Sequence, residues 1–380
     1  MRDRVTDPES GPQWRIVDPA EVDPQESRRF GALLGVLSTV ASIALLVLVT
    51  WGFRYHPGYS ETVPGEAEPI AARVTVKGAQ QYEPKGDFYL VFVREREDLN
   101  YWEYLKAKWF DDHAKIYPIP KGSAPSSRQE SLCLMSDSQA VAKQVALQKL
   151  DYKLATKPGV LISAIADRSA PVAKSLECGD IIRKVDGVAI DEVKTLSEVI
   201  GRHAKNDIVR VAYDRDGTRK QADIKLTTTP EGRPILGVLP AVIIDYPVEL
   251  TIDTGNIGGP SAGLAMTLTL LDELTPGELT GNLRVVATGE IFADGRVGEI
   301  GAVELKAVAA KNRGADIFLV PACQADPKTN PGEFRECTAG IQQARENAKG
   351  VKIIPVASLD EALAALVANG GEPLPGGAKS

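Results

Sequence analysis

One serine lies between glycines and a proline at the point where a strand pattern gives way to a helix pattern. PVELTID at 247–253 alternates apolar and polar residues, as a half-buried strand does. Ser261 follows in GGPSAG, and GLAMTLTLLDEL then shows the apolar spacing of a helix face. Flanking glycines let a substrate backbone approach, and free N–H groups at a helix start stabilise an oxyanion. The pattern alone favours a helix N-cap for Ser261 and leaves a catalytic nucleophile as the alternative.

A nucleophilic serine needs a base, and the C-terminal half of the chain has no histidine to supply one. The histidines of the chain are His56, His113 and His203. A lysine can take this role if burial lowers its pKa toward neutrality. In the helical segment 299–314, Lys306 and Lys311 both have apolar neighbours three and four positions away. Periodicity does not choose between them, and a surface lysine with a buried stem is the alternative for either.

The composition excludes several functional classes. The chain has 380 residues, which suggests two or three domains, and 43% of them are hydrophobic. Its 44 basic and 51 acidic residues give a net charge of -7, so we expect no nucleic-acid partner. The few histidines lie far apart in the sequence, which argues against a His-rich metal site. We expect neither a metal nor a cofactor.

Residues 30–53 carry no charge and form a run long enough to cross ~30 Å of hydrocarbon as a helix. We predict a single transmembrane anchor that contacts the lipid bilayer. A cleaved signal peptide is the alternative, but its apolar run is shorter, and Trp51 and Tyr55 close this one. Arg28 and Arg29 precede the run, which predicts a disordered cytoplasmic leader over 1–29 and places everything after about 54 outside the cytoplasm.

Residues 54–150 are predicted to be a linker followed by a segment of strands and helices. FYLVFV at 88–93 is typical of a buried strand. LNYWEYLKAKWF has the spacing of an amphipathic helix, and we expect its tryptophans, Trp102 and Trp109, to pack in a core. Ser136 and Gln139 have the spacing of a capping box at the start of a further helix.

All four cysteines fall in the part predicted to be exported, where oxidation is permitted. Cys323 and Cys337 flank a polar loop, so a disulfide that staples it and a pair of unpaired thiols are both open. A pairing of Cys133 with Cys178 has less support in the sequence.

Residues 151–229 contain strand, short-helix and hairpin patterns, with Asp186-Gly187 and Asp216-Gly217 as turns. GVLISAI, SAPVAKSLECGDII and VDGVAI follow one another in this stretch, which resembles a PDZ domain of the bacterial protease-associated type. The resemblance implies capture of an extended or C-terminal peptide by strand addition. ATKPG at 155–159 would be the carboxylate loop by position, although it departs from the usual pattern of glycine and apolar residues. The alternative is a domain that only spaces the anchor from the C-terminal part of the chain.

Residues 230–366 hold four segments in one order: GGPSAG, ATGEI, ADGRVGEIG and LKAVAAKNRGA. This stretch resembles the proteolytic domain of the Lon family of Ser-Lys peptidases, with the ribosomal S5 domain 2-like α/β fold. By the resemblance, Ser261 matches the nucleophile, Lys306 the general base and Thr288 the residue that orients the lysine. The residues that flank the serine in this motif are Gly259, Pro260 and Ala262. We expect residues 367–380 to be a flexible tail.

The sequence departs from that family at two places. Gly258 stands where many members have an aspartate, and no GxxxxGK[ST] phosphate loop occurs. The order of segments resembles membrane-anchored, ATP-independent bacterial PDZ and Lon-domain proteases, whose fold class is α+β and multidomain. The resemblance implies a serine endopeptidase on the outer side of the bacterial cytoplasmic membrane that cleaves unfolded polypeptides, with a homo-oligomer, a hexamer in the family, as its assembly. The alternative is a membrane-tethered peptide-binding scaffold with a silent peptidase domain.

Overall fold

The computed structural model describes residues 24–119, 128–167 and 169–375. Its first helix, α1, spans Pro24–Arg54 and contains the predicted span of 30–53. By length and composition, its part from Arg28 to Arg54 could cross a membrane. The end of α1 contacts the rest of the protein through Trp102, whose ring N–H donates to the carbonyl of Val49 at 3.0 Å. The same indole packs directly against Gly52.

The described residues between α1 and position 150 form strands and helices. They are β1 (Tyr59–Pro69), β2 (Val74–Lys77), β3 (Asp87–Arg96), α2 (Tyr101–Phe110), β4 (Lys115–Pro118) and α3 (Arg128–Lys149). The predicted strand at 88–93 is confirmed as part of β3. The core packing predicted for Trp109 is wrong, because it lies near the free end of α2 and 70% of its surface is exposed. The predicted capping box is also wrong, because buried Cys133 and Met135 extend α3 upstream and leave Ser136 inside the helix.

The next stretch forms an antiparallel sheet with one helix. Its elements are β5 (Ala155–Ile165), β6 (Ile181–Val185), β7 (Val188–Ala189), α4 (Val193–Ile200), β8 (Ile208–Arg215), β9 (Thr218–Lys225), β10 (Thr227–Thr228), β11 (Pro234–Ile235) and β12 (Val238–Asp245). The strand order is β12-β5-β6-β8-β9, so β12 is an edge strand. Both Asp-Gly turns have positive φ at both residues, which confirms the predicted hairpins. ATKPG is not a loop, because residues 155–159 form the first part of β5, and residues 155–157 pair with the end of β12.

The last stretch alternates strands with helices. Its elements are β13 (Glu249–Ile252), α5 (Gly263–Leu274), β14 (Arg284–Ala287), β15 (Glu290–Ile291), β16 (Val297–Gly298), α6 (Val303–Arg313), β17 (Ile317–Pro321), α7 (Pro331–Asn347), β18 (Lys352–Val356) and α8 (Leu359–Val367). β14, β17 and β18 are parallel to one another and to β3. The full strand order is β18-β17-β14-β3-β1-β4, so the segment before the PDZ-like stretch supplies half of this sheet.

This mixed sheet has a helical layer on each face. Alternate residues of β3 point to opposite faces, with Phe88 and Leu90 in the core that α3 and α5 cover. Tyr89 and Val91 lie in the other core, under α6 and α7. Because α5 leads into β14 and β14 leads through a hairpin to α6, both helices begin at the carboxyl end of β14. The N-termini of these two helices, which lie on opposite faces of the sheet, are therefore close to each other at the carboxyl end of β14.

Candidate active site

Ser261 lies in a single 3-10 turn, Pro260–Ala262, directly before α5. The N-cap interpretation is wrong, because the cap of α5 is Ala262 and no side chain caps this helix. Because of this turn, Ser261 lies one residue before the N-cap position, from which a side chain would accept a hydrogen bond from the first backbone N–H groups of α5. Within the part of the chain that the structure describes, neither the hydroxyl nor the backbone N–H of Ser261 has a hydrogen-bond partner. The residue is half-buried and lines the cleft described below.

Lys306 lies in the first turns of α6 with its side chain in the protein interior. Only 3% of the residue's surface is exposed. Its Nζ donates to the hydroxyl oxygen of Thr288 at 3.2 Å. Burial lowers the pKa of the amine from 10.5 to about 7, although the carboxylates of Glu95 and Glu304 act in the opposite direction. A lysine in this environment is largely neutral slightly above neutral pH, which a general base requires.

The structure also shows which of the two candidate lysines is buried, a choice that the spacing of apolar residues leaves open. Lys311 is exposed near the end of α6 and donates to the carbonyl of Asn347 at 3.4 Å. It is therefore a surface lysine, whereas Lys306 is the buried one. The helix places only Lys306 on the side that faces the carboxyl end of β14.

Thr288 connects the serine loop to the lysine. It follows the last residue of β14 and is fully buried. Its hydroxyl donates to the carbonyl oxygen of Ser261 at 3.1 Å and accepts from Lys306. The backbone N–H of Gly289 donates to the same carbonyl at 2.8 Å. The three residues taken from the family motif are thus joined by hydrogen bonds in space, although they come from three separate elements.

An open cleft of ≈ 850 Å³ gives access to this group of residues. Ser261 and Lys306 both line it, together with Ala302 and Glu95. Ala302 adopts a left-handed conformation with φ of 57° at the start of α6, which is uncommon for alanine and costs on the order of 1 kcal/mol. The lining of the cleft includes residues of both β3 and α6.

The residues around the serine shape the loop and supply no reactive group. Gly259 has φ of 90°, a conformation that favours glycine, and its N–H donates to the carbonyl of Ser131 at 2.7 Å. Pro260 begins the 3-10 turn, and Ala262 is buried behind it. The turn directs the chain into α5 at a fixed angle.

Sequence reasoning missed one wall of the cleft. Arg128, Ser131 and Leu132 of α3 line it, and the hydroxyl of Ser138 donates to the carbonyl of Pro260 at 3.0 Å. These residues precede the PDZ-like stretch and carry no motif. In the sequence, the only sign of this contact is that glycine replaces the aspartate expected at position 258. A Cβ at that position would lie 2.6 Å from the Cβ of Ser131. Among the residues that the structure describes, no group of three His, Cys, Asp or Glu side chains is placed to hold a metal ion.

Comparison with known families assigns both folded regions. Residues 141–226 match the PDZ domain family, and residues 243–368 match the family of the Lon protease (S16) C-terminal proteolytic domain. The chain contains a PDZ domain followed by a Lon-type proteolytic domain. In the Lon-type domain, Ser261 and Lys306 occupy the loop and the helix described above.

Individual relatives match parts of the chain. A Lon protease of Phenylobacterium zucineum is 33% identical over 121 residues, 31% of this chain and 15% of that protein. A Lon protease of Clostridioides difficile is 33% identical over 115 residues, 30% of this chain and 13% of that protein. A serine protease Do-like HtrA of Lactococcus lactis is 33% identical over 69 residues, 18% of this chain and 17% of that protein. The chain thus matches only a small part of the length of each of these proteases.

Proposed function

We propose that this protein is a membrane-anchored, ATP-independent serine endopeptidase that cleaves unfolded or extended polypeptides outside the cytoplasmic membrane. The observation that carries the proposal is the buried amine of Lys306, whose pKa is lowered to about 7 and which is hydrogen-bonded to Thr288 in the cleft that Ser261 lines. A peptide-binding scaffold gives no reason for a buried amine whose lowered pKa leaves much of it unprotonated near neutral pH.

Catalysis begins with attack of the Ser261 hydroxyl oxygen on a substrate carbonyl. The neutral amine of Lys306 accepts the hydroxyl proton. Thr288 keeps that amine in place through its hydrogen bond and fixes the serine backbone through another. The backbone N–H of Ser261, which has no acceptor among the described residues, stabilises the oxyanion together with the positive end of α5.

The tetrahedral intermediate then collapses. The protonated Lys306 gives its proton to the leaving amine, and the peptide bond breaks to leave an acyl-enzyme on Ser261. Lys306, neutral again, accepts a proton from a water molecule that attacks the ester. In the second collapse the protonated Lys306 returns its proton to the Ser261 oxygen, and the product leaves as a carboxylic acid that gives its proton to solvent. The cycle therefore needs neither metal nor nucleotide.

The PDZ domain captures a peptide at the edge strand β12. One edge of β12 pairs with β5, and Leu239 and Val242 on this strand each have 51% of their surface exposed. Gly237, with φ of 86°, directly precedes it after buried Leu236, an arrangement of glycine and apolar residues that suits a carboxylate loop better than ATKPG does. An extended or C-terminal peptide adds to β12 as a further strand.

Helix α1 anchors the protein with its N-terminus in the cytoplasm. Its end carries an aromatic cluster, in which the rings of Trp51 and Tyr55 stack at 4.9 Å and Tyr101 of α2 lies 5.4 Å from Trp51. Aromatic residues concentrate at membrane surfaces, so this cluster suits the outer headgroup region. Unfolding by ATP plays no part, and self-association into a hexameric ring belongs to the proposal by resemblance to the Lon family.

Turnover of labelled casein by the full-length chain in lipid nanodiscs, without ATP, tests the proposal. We expect cleavage that Ser261→Ala reduces at least ~10³-fold, because the nucleophile of the acyl transfer is lost. Thermal unfolding of the variant provides the folding control. Cleavage that survives in Ser261→Ala would show that another residue is the nucleophile, and a silent wild type that still binds peptides at its PDZ domain would favour a scaffold.

A further inference from the structure

Helix α3 holds the backbone just before the nucleophile by two hydrogen bonds. The N–H of Gly259 donates to the carbonyl of Ser131 at 2.7 Å. One residue further on, the carbonyl of Pro260 accepts from the hydroxyl of Ser138 at 3.0 Å, and Ser138 is only 4% exposed. The two contacts fix both residues that precede Ser261.

The packing between α3 and this loop is close enough to exclude a side chain at Gly258. A Cβ built there would approach the Cβ of Ser131 to 2.6 Å and its carbonyl carbon to 3.0 Å. A third contact lies at the other end of the loop, where Gln139 donates to the hydroxyl of Thr254 at 2.9 Å. The position of the loop is therefore coupled to the position of α3.

A disulfide joins the same helix to the PDZ domain. Cys133 of α3 is bonded to Cys178, which lies just before β6, with Cα atoms 6.0 Å apart. Cavities of ≈ 470 and ≈ 250 Å³ lie between α3 and the PDZ domain, and both cysteines line each of them. The covalent bond thus spans a contact that side chains fill incompletely, and it attaches the PDZ domain to the turns of α3 that hold the loop.

We propose that α3 is a positioning element for Ser261, through Ser138 and the carbonyl of Ser131, and that the Cys133–Cys178 bond makes its placement depend on the PDZ domain. The inference deepens the proposed function, because it assigns the segment before the PDZ domain to the peptidase site. Ser138 contacts neither the reacting hydroxyl nor Lys306 by a hydrogen bond, so it is a positioning residue rather than a catalytic one.

The first test compares Ser138→Ala with Ser136→Ala, an exposed serine of the same helix. Ser138→Ala should lower kcat for casein about tenfold and leave KM within about twofold, because substrate still binds but the nucleophile is less well placed. The midpoint of the pH profile should not move, since Lys306 is untouched. Ser136→Ala should retain wild-type values.

The second test removes each disulfide of the full-length chain in turn. Cys133→Ser with Cys178→Ser should lower kcat three- to tenfold. Cys323→Ser with Cys337→Ser is the matched control, because that bond joins the end of β17 to α7, away from α3. Hydrogen exchange of the segment 255–263 provides a readout that needs no turnover, and the amide of Gly259 should exchange faster in Ser138→Ala and in the first disulfide variant only.

The exchange measurement separates failure of this inference from failure of the proposed function. If the wild type does not cleave casein, faster exchange in those two variants would still support the positioning role. Unchanged exchange at Gly259 in Ser138→Ala would overturn the role of Ser138. Equal exchange in the wild type and the Cys133 and Cys178 variant would overturn the dependence on the PDZ domain.

Discussion

Lys306→Met should abolish peptide hydrolysis and at the same time make the protein more stable at pH 7. The activity is lost because methionine cannot accept the Ser261 proton, and we expect a decrease of at least ~10³-fold in kcat/KM. The gain in stability results from burial. The wild-type fold buries the Lys306 amine in an apolar environment, which costs the free energy of removing a polar group from water. The unbranched thioether of methionine packs in the same space without this desolvation cost.

The direction of the stability change is set by the two pKa values of the amine. Its pKa is about 7 in the folded protein and 10.5 as the ordinary value. Between these values the unfolded chain binds more protons, so the stability of the wild type rises with pH across this window. The benefit of Lys306→Met should be on the order of 2–4 kcal/mol at pH 7 and should shrink toward pH 10.

Urea unfolding at pH 7 and pH 10, beside casein turnover, measures both effects. Lys311→Met is the matched control, because that lysine is exposed on the same helix, and it should change stability by less than ~0.5 kcal/mol and retain activity. A destabilised Lys306→Met, or one that still hydrolyses casein, is incompatible with a buried general base.

Gly258→Asp should inactivate the protein, although the resemblance to the Lon family implies an aspartate at that position. The obstacle is space, since the new Cβ would lie 2.6 Å from the Cβ of Ser131 and either α3 or the serine loop must move. We expect a loss of about 2–4 kcal/mol in the free energy of unfolding and a fall in kcat of ~10²-fold or more.

Gly332→Asp is the control for this substitution. Nothing lies within 4 Å of a Cβ at Gly332, in the first turn of α7, where an acidic residue is tolerated. Its stability and turnover should remain close to those of the wild type. Full activity in Gly258→Asp would mean that α3 does not constrain the loop, which would also count against its positioning role.

Local pattern was sufficient to find the serine but not to assign its role. The change from period two to helical spacing placed Ser261 between a strand and α5, as the structure has it. The cap that the pattern favoured fails because a 3-10 turn intervenes. This turn is held by the hydrogen bonds that Gly259 and Pro260 make with α3. These are contacts between distant parts of the chain, so local sequence propensity does not predict them.

The choice of lysine depended on tertiary structure in the same way. Lys306 and Lys311 are five residues apart, about 140° around a helix, and both have small apolar neighbours. Which side of α6 is buried depends on how the helix packs against the sheet. Lys306, the lysine proposed by resemblance, is the buried one. Its pKa is lowered because the fold buries the amine, and the neighbours in sequence do not cause this shift.

The contributions of the segment before the PDZ domain were the least accessible to sequence reasoning. The sequence predicts β3 as a buried strand, but its partner β14 lies nearly 200 residues away, and β2 pairs with β13, which is also more than 170 residues away. Such pairings cost loop-closure entropy and leave no local periodicity. The same holds for α3, whose contacts with the serine loop join parts of the chain on either side of the PDZ domain.

The pH dependence of kcat/KM tests the central claim most directly. Measured for casein with the full-length chain between pH 5 and pH 10, kcat/KM reports the ionisation of the free enzyme. If neutral Lys306 is the base, the rate should rise through a single ionisation near pH 7 and then level off, since burial lowers its pKa to about 7. A rate that is flat across this range, or one that rises only near pH 10, would contradict a buried lysine as the base.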